Sequence, residues 1–356
     1  MNPGIHELEN GSFEYVSEAE FKCEGGGIIE PLVLAYECFG ALNATKDNAI
    51  IVHHALSTSS HLTSTDRYPD PGWWQKMVGP GCHLDTDKYF VICINNLGSC
   101  FGSAGPNSIN PSTGKKYRAD FPTVTIVDMV RSQKMLIEAL GITQLHAILG
   151  NSMGAMLSVA WLTLYPDDAR YLISISSCAK SYPANNANRF LQRDMITIDP
   201  DWDGGNYHYS GDLEGFKTAR KLGLLTYRNW AELNERFVGK TGRESIEHYL
   251  DYNGEKFVNR FDCNSYLTLL DAMNTFNLGG GNESLEETFR PIQASALVVS
   301  VDSDILFTPS QQRALYDALS AAGVEASFIE HVSTFGHDAF LVETEDFGRY
   351  IRDFIG

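Results

Sequence analysis

The chain predicts an α/β fold, a mostly parallel, doubly wound sheet that carries a helical insertion. Three observations predict it. Short apolar runs alternate with amphipathic stretches, a glycine-bracketed serine sits where one such run meets a helix, and a long helical stretch interrupts the rhythm before it resumes.

The aliphatic stretch at 28–38 reads as extended and is turned by Gly40-Ala41-Leu42-Asn43-Ala44. Residues 49–54 and 89–94 are short apolar runs of the kind that fill buried parallel strands. A long polar segment with Gly72-Trp73-Trp74 and Gly79-Pro80-Gly81 separates them, and a second long loop, dense in Gly, Asn, Ser and Pro, follows at 95–121. Loops of that length in a compact domain are usually functional. Ile126, Met129, Val130, Gln133, Leu136, Ile137 and Leu140 recur at helical spacing and predict a helix over 125–140. A strand at 145–149, a helix to about 165 and a strand at 172–176 come next. From about 179 to 289 the pattern is helical and amphipathic, without clear buried strands, and Gly279-Gly280-Gly281-Asn282 reads as a boundary. The strand-and-helix rhythm returns with 295–301, a helix over 310–322, a strand over 326–331 and a final helix. The expected organisation is a core from 1–178 and 291–356, with a helical lid at 179–290 inserted between them.

Composition bounds the partners. The 356 residues carry 27 Lys plus Arg against 45 Asp plus Glu, a formal charge of −18. Nucleic acid and anionic membrane surfaces are therefore not expected as partners, and any anionic substrate must be met by a local basic patch. The opening residues Met1-Asn2-Pro3-Gly4-Ile5-His6-Glu7 show neither a basic start nor an apolar stretch, and no apolar run approaches the ~20 residues of a membrane span. The expectation is a cytoplasmic protein. Seven cysteines are scattered, several in apolar contexts, and read as buried free thiols. His53, His54 and His61 do not have helical ligand spacing and no HExxH occurs, so no metal is expected.

The chemistry centres on Gly150-Asn151-Ser152-Met153-Gly154. A serine on a sharp strand-to-helix turn needs small residues two positions away on each side, because side chains there would meet the neighbouring strand or helix. Such a turn exposes the hydroxyl and points the first amides of the helix at whatever it attacks. A serine nucleophile also needs a base, and the base an acidic orienter, from loops after later strands in the order serine, acid, histidine. The chain supplies them in that order. Asp302 and Asp304 follow the strand at 295–301 and compete for the acidic role, and His337 lies on a glycine-preceded loop after the last strand. His331, on that strand itself, reads as structural. Two backbone donors for an oxyanion are expected from Met153, directly after the serine, and from Leu56, at the end of the strand at 49–54. The basic stretch Lys115-Lys116-Tyr117-Arg118 is a candidate for contact with phosphates.

With these residues in view, the chain resembles the homoserine O-acetyltransferases, the transacylase branch of the α/β-hydrolase superfamily. The likeness runs through His54-Ala55-Leu56, Gly72-Trp73-Trp74, Asn96-Leu97-Gly98, Gly102-Ser103-Ala104-Gly105-Pro106 and the serine turn. It continues through Gln192-Arg193, Asp199-Pro200-Asp201-Trp202, Arg260-Phe261-Asp262-Cys263-Asn264-Ser265-Tyr266-Leu267, Ser303-Asp304-Ile305-Leu306-Phe307 and Gly336-His337-Asp338-Ala339-Phe340-Leu341. It implies an α/β-hydrolase fold and favours Asp304 over Asp302 as the acid. Arg193 is implied as the partner of a substrate carboxylate, a role suited to a guanidinium fork, and Asp338 as the partner of a substrate ammonium. The implied reaction moves an acetyl group from acetyl-CoA to homoserine through acyl-Ser152. No cofactor is permanently bound in that reaction, and a homodimer is the implied assembly.

The chain departs from the family pattern beside the Leu56 donor. Ser57-Thr58-Ser59-Ser60 stands where the family has Thr-Gly after His-Ala-Leu. A changed loop there can admit water, so a carboxylesterase with the same acyl-serine is the alternative. A hydrolase fold without catalysis, acting as a scaffold, is a further rival.

Overall fold

Nine strands form one sheet among the described residues. In chain order they are β1 (Ile5–Glu7), β2 (Phe13–Ser17), β3 (Leu32–Phe39), β4 (Ala49–His53), β5 (Phe90–Ile94), β6 (Leu145–Asn151), β7 (Ala169–Ile175), β8 (Ser295–Val301) and β9 (Ala326–His331). Across the sheet the order is β1-β2-β3-β5-β4-β6-β7-β8-β9. The pairs from β5 to β9 are parallel, and those involving β1, β2 and β3 are antiparallel. This computed structural model describes residues 4–280 and 284–356, so the boundary expected at 279–282 falls partly outside the described residues.

The central strands read as unbroken apolar runs because both faces of the sheet are covered. Alternate residues enter two separate cores. Ile51, Ile148, Leu172 and Val298 pack beneath α1 (Ile126–Ala139), α2 (Met153–Leu164) and α9 (Pro309–Ala321). Ile50, Val52, Leu149, Ile173 and Val299 pack with Trp74 and with Phe347 and Ile351 of α10 (Thr344–Ile355). Full burial of each such side chain contributes about 1.5–3 kcal/mol. Helix α1 starts where its sequence provides a reciprocal cap. The Asp128 N–H donates to Thr125 Oγ1 at 3.1 Å, and Asp128 Oδ2 accepts from the Thr125 N–H at 3.1 Å.

The expected run at 28–38 divides in two. Ile28–Ile29 pairs with Phe21–Lys22 in a small ribbon, and the sheet strand begins only at Leu32, after Pro31 interrupts the backbone donors. The two N-terminal strands β1 and β2 carry too short a pattern to be legible from the sequence.

Between β7 and β8 the chain makes an excursion through α3 (Pro183–Thr197), α4 (Glu214–Tyr227), α5 (Trp230–Phe237), α6 (Ile246–Val258) and α7 (Cys263–Asn274). It leaves and returns through a narrow neck, where the Ser181 N–H donates to Phe276 O at 2.7 Å and the Leu278 N–H to Ala179 O at 3.1 Å. Helix α8 (Leu285–Phe289), after this neck, packs on α9 and buries Phe289 in the first core, so it sits with the sheet rather than with the excursion. No helix among the described residues is long and apolar enough to cross a membrane.

Candidate active site

Ser152 occupies the tight turn between β6 and α2 with φ 53° and ψ −122°, a left-handed conformation that costs a non-glycine residue about 1–3 kcal/mol. Its neighbours hold it there. The Ser152 N–H donates to Ile175 O of β7 at 3.0 Å, while its carbonyl accepts from Ser177 Oγ at 2.8 Å and from the Ala155 N–H at 3.0 Å. A Cβ on Gly150 would lie 2.3 Å from the Gly154 backbone, and one on Gly154 would lie 2.0 Å from His53 O. The two glycines are thus a steric requirement of the turn.

His337 is brought to the same place by the loop after β9. Its Nδ1 is 2.7 Å from Asp304 Oδ2, and Asp304 Oδ1 accepts the Leu306 and Phe307 amides at 2.9 Å each. Asp304 and His337 are both buried, and the imidazole lies among the rings of Phe307, Phe340 and Tyr227 at 5.4 to 6.0 Å between centroids. Because Nδ1 faces the carboxylate, Nε2 is the nitrogen left for the serine. Asp302 does something different. Its Oδ1 accepts the Ser333 N–H at 3.0 Å, and Ser303 Oγ accepts the Gly336 N–H at 3.2 Å, so these neighbours pin the loop that carries His337. His331 bonds Tyr350 and Glu343, away from the serine.

The Ala55–Leu56 peptide is clamped from one side. Ala55 O is bonded by His54 Nδ1 at 2.8 Å, by Thr58 Oγ1 at 3.0 Å and by the Thr58 N–H at 3.2 Å. His54 Nε2 accepts the Asn96 N–H at 3.0 Å, so the ring proton must be on Nδ1 and the ring is neutral. Burial agrees, holding the His54 pKa down at about 4. In a trans peptide the N–H points opposite to the C=O. Three bonds on the Ala55 carbonyl therefore direct the Leu56 N–H away from them. The Met153 amide is the first of α2, and a helix has no acceptor of its own for it.

Ser152, Leu56, His337 and Asp338 line one cavity of about 370 Å³, closed on its other side by residues of α3, α4, α6 and α7. Asp338 lies 3.8 Å from an Arg228 Nη, and burial raises its pKa above the usual carboxylate range. Arg193 is the exception among the expected residues. The structure does not bring it to this cavity; its guanidinium pairs with Asp271, and both side chains are more than a third exposed. The reason is helical phase. Gln192 faces inward and accepts from Tyr266 OH, which turns the next residue about 100° away.

Arg189, Arg220 and Arg260 line the cavity instead. Arg189 is spent on Asn274, Ser181 and Asn186 at the neck. Arg220 is 9% exposed and lies with its guanidinium carbon 4.1 Å from the Phe257 ring centroid, beside Tyr227 OH at 3.4 Å. Among the described residues it has no carboxylate partner, and its Nε is buried without a hydrogen bond. The signal for it was present in the sequence. Arg220 interrupts the apolar stripe of α4 formed by Phe216, Ala219, Gly223 and Leu224, where a charge needs a reason.

No group of His, Cys, Asp and Glu among the described residues has metal-site geometry, and the seven cysteines are free. Burial raises the thiols of Cys23, Cys38, Cys100 and Cys178 to about 12.

The model of the alpha/beta hydrolase fold matches residues 48–344. Over 367 residues, covering 100% of this chain and 98% of the relative, the chain is 40% identical to a homoserine O-acetyltransferase of Geobacter sulfurreducens. The chain belongs to this acyltransferase family of the α/β-hydrolase fold. Family membership makes it an enzyme, and its relatives place it among acyltransferases of amino-acid biosynthesis. Another relative, 42% identical over 345 residues with 93% of this chain and 94% of the other covered, is a serine O-succinyltransferase of Litchfieldella anticariensis. In structure the chain is also similar to esterase E22, with a TM-score of 0.88, 27% identity and coverage of 97% and 99%. Its relatives thus carry different acyl groups and different acceptors, and a structural neighbour is an esterase.

Proposed function

We propose that the chain transfers an acetyl group from acetyl-CoA to the hydroxyl of homoserine through an acyl-Ser152 intermediate. His337 Nε2 takes the Ser152 proton, the serine oxygen attacks the thioester carbonyl, and the resulting oxyanion is held by the Met153 and Leu56 amides. His337 then protonates the departing CoA sulfur. In the second half, the acceptor hydroxyl gives its proton to His337 and attacks the acyl-serine, and the proton returns to Ser152 as the ester product leaves. Asp304 keeps the imidazole oriented and favours its charged form during each transfer. No permanently bound cofactor enters; acetyl-CoA is consumed as a substrate.

The observation that carries an amino-acid acceptor is the pair of opposite charges on the cavity wall. Arg220, buried without an acid of its own, suits a carboxylate, and Asp338 suits an ammonium. A cavity that only hydrolysed simple esters would need neither. Arg220 therefore takes the role that the resemblance assigned to Arg193. Two fixed ends orient the acceptor hydroxyl at the acyl-serine and give it a large effective concentration over water. The test is product analysis of acetyl-CoA incubated with the protein, with and without homoserine. O-acetylhomoserine and acceptor-dependent CoA release are expected, and Ser152→Ala abolishes both.

The esterase reading is favoured by the likeness to esterase E22 and by the polar Ser57-Thr58-Ser59-Ser60 loop beside Leu56. CoA release at the same rate without homoserine would select it. A homodimer and a cytoplasmic location belong to the same proposal. Exposed Trp230 and Val238 on and after α5 offer apolar surface for such a dimer, which sedimentation tests.

A further inference from the structure

Beside the catalytic cavity lies a second pocket of about 280 Å³, and Arg260 forms part of both walls. Its other cationic lining residues are Lys116 and Arg118, from the 95–121 loop. The three hold only uncharged partners: Lys116 Nζ donates to Asn107 Oδ1 at 3.0 Å, an Arg118 Nη to Tyr207 O at 2.7 Å, and an Arg260 Nη to Ser57 O at 3.2 Å. None of the three makes an ion pair among the described residues, although the chain has 45 acidic residues for 27 basic ones. Scarcity of acids does not explain three unpaired cations in one pocket. The carboxylate in its lining, Asp262, is already engaged, accepting from Tyr207 OH at 2.6 Å and from the Ser265 N–H at 2.8 Å at the start of α7. Arg260 is also opposed from the cavity side. Burial, and then the like charge of Arg220, hold its pKa below the usual guanidinium range. A wall with unneutralised guanidinium groups towards both spaces suits anionic groups on both sides.

We propose that this pocket, built by Lys116, Arg118 and Arg260, binds the phosphate groups of the nucleotide end of CoA while the thioester reaches Ser152 in the adjoining cavity. The inference rests on the acyl-CoA reading above. It also resolves a conflict of charge: in a chain of formal charge −18, a polyanionic donor needs a local cationic seat. Arg260 joins the two spaces: it lines both, and its guanidinium donates to the carbonyl of Ser57, the residue after Leu56 in the cavity wall.

The test titrates CoA and pantetheine, which lacks the nucleotide and its phosphates, into the wild type and three variants by calorimetry. Lys116→Glu is expected to weaken CoA about tenfold or more and Lys116→Ala several-fold, with pantetheine binding unchanged in both. Lys76→Glu, an exposed site outside both pockets with the same change of charge, is expected to leave CoA binding as it was. Equal weakening by Lys116→Glu and Lys76→Glu, equal affinity of the wild type for CoA and pantetheine, or no CoA binding at all overturns the pocket. The readout needs no turnover, which separates the two readings. CoA seated through Lys116 without acetyl transfer refutes the proposed reaction alone, whereas acetyl transfer that is indifferent to Lys116 refutes the pocket alone.

Discussion

Gly154 and His53 approach so closely that a Cβ on the glycine would stand 2.0 Å from the His53 carbonyl oxygen. The first turn of α2 is thereby pressed against the end of β4, and Ser152 and Leu56 line the same cavity. Gly154→Ala must push the helix off the strand. We expect a loss of stability of about 1–3 kcal/mol from the overpacking, together with at least a hundredfold loss of acylation by p-nitrophenyl acetate. Denaturant melts and stopped-flow acylation measure the two, and wild-type acylation in the variant would refute the steric account.

Asp302 and Asp304 separate experimentally. Asp304→Asn removes the charge beside His337 Nδ1 and offers the wrong tautomer a partner, so kcat is expected to fall by up to about ten-thousandfold with little change in stability. Asp302→Asn retains an acceptor for the Ser333 amide and is expected to cost less than about tenfold. A reversed ranking in steady-state kinetics would exchange their roles.

Arg220→Ala is expected to raise the KM for homoserine about 10- to 100-fold, with Arg220→Lys intermediate because a point charge replaces a fork. Arg193→Ala, which breaks a half-exposed pair with Asp271, is expected to leave that KM alone and to cost less than about 1 kcal/mol of stability. A KM effect confined to Arg193 would restore the role implied by the resemblance.

Asp338 is expected to give the proposed acceptor step a pH dependence. Burial raises its pKa, and only the ionised form attracts an ammonium, so the KM for homoserine is expected to climb as pH falls, beginning above the ordinary carboxylate range. In Asp338→Asn that KM is high and flat. A wild-type profile as flat as that of the variant would remove Asp338 from the site.

His54 links the Ala55–Leu56 peptide to acid stability. Its folded pKa is about 4 against 6.5 for an unperturbed ring. Between those values the unfolded chain binds a proton that the folded one refuses, so stability falls as pH drops from 6.5 towards 4, by up to roughly 3 kcal/mol from this ring. His54→Gln is expected to be less stable at neutral pH but flatter across that window. Flattened rather than level is the expectation, because buried His53, held down at about 3, acts in the same direction. Urea titrations at stepped pH would show parallel slopes if His54 titrated normally.

Much of the site was legible because its signals are local. Gly150 and Gly154 bracket Ser152 at the spacing a tight strand-to-helix turn requires, and candidates for acid and histidine follow it on loops after later strands. The short strands β1 and β2 were not legible, since 3 and 5 residues carry no reliable period. The choice between Asp302 and Asp304 was beyond spacing and came from family resemblance; in the fold, one pins the histidine loop and the other bonds the histidine.

The amino-acid sequence by itself determined the sheet rhythm, the strained serine turn, the acidic charge balance and the interruption by helices, because each depends on residues adjacent in the chain or one turn apart. Tertiary structure alone decided which arginine meets the cavity. Arg193 and Arg220 both lie on amphipathic helices, and which way a helix turns its charge depends on the surface it packs against. The same holds for the seating of Lys116, Arg118 and Arg260 in one pocket, since their convergence is a property of how distant segments fold together.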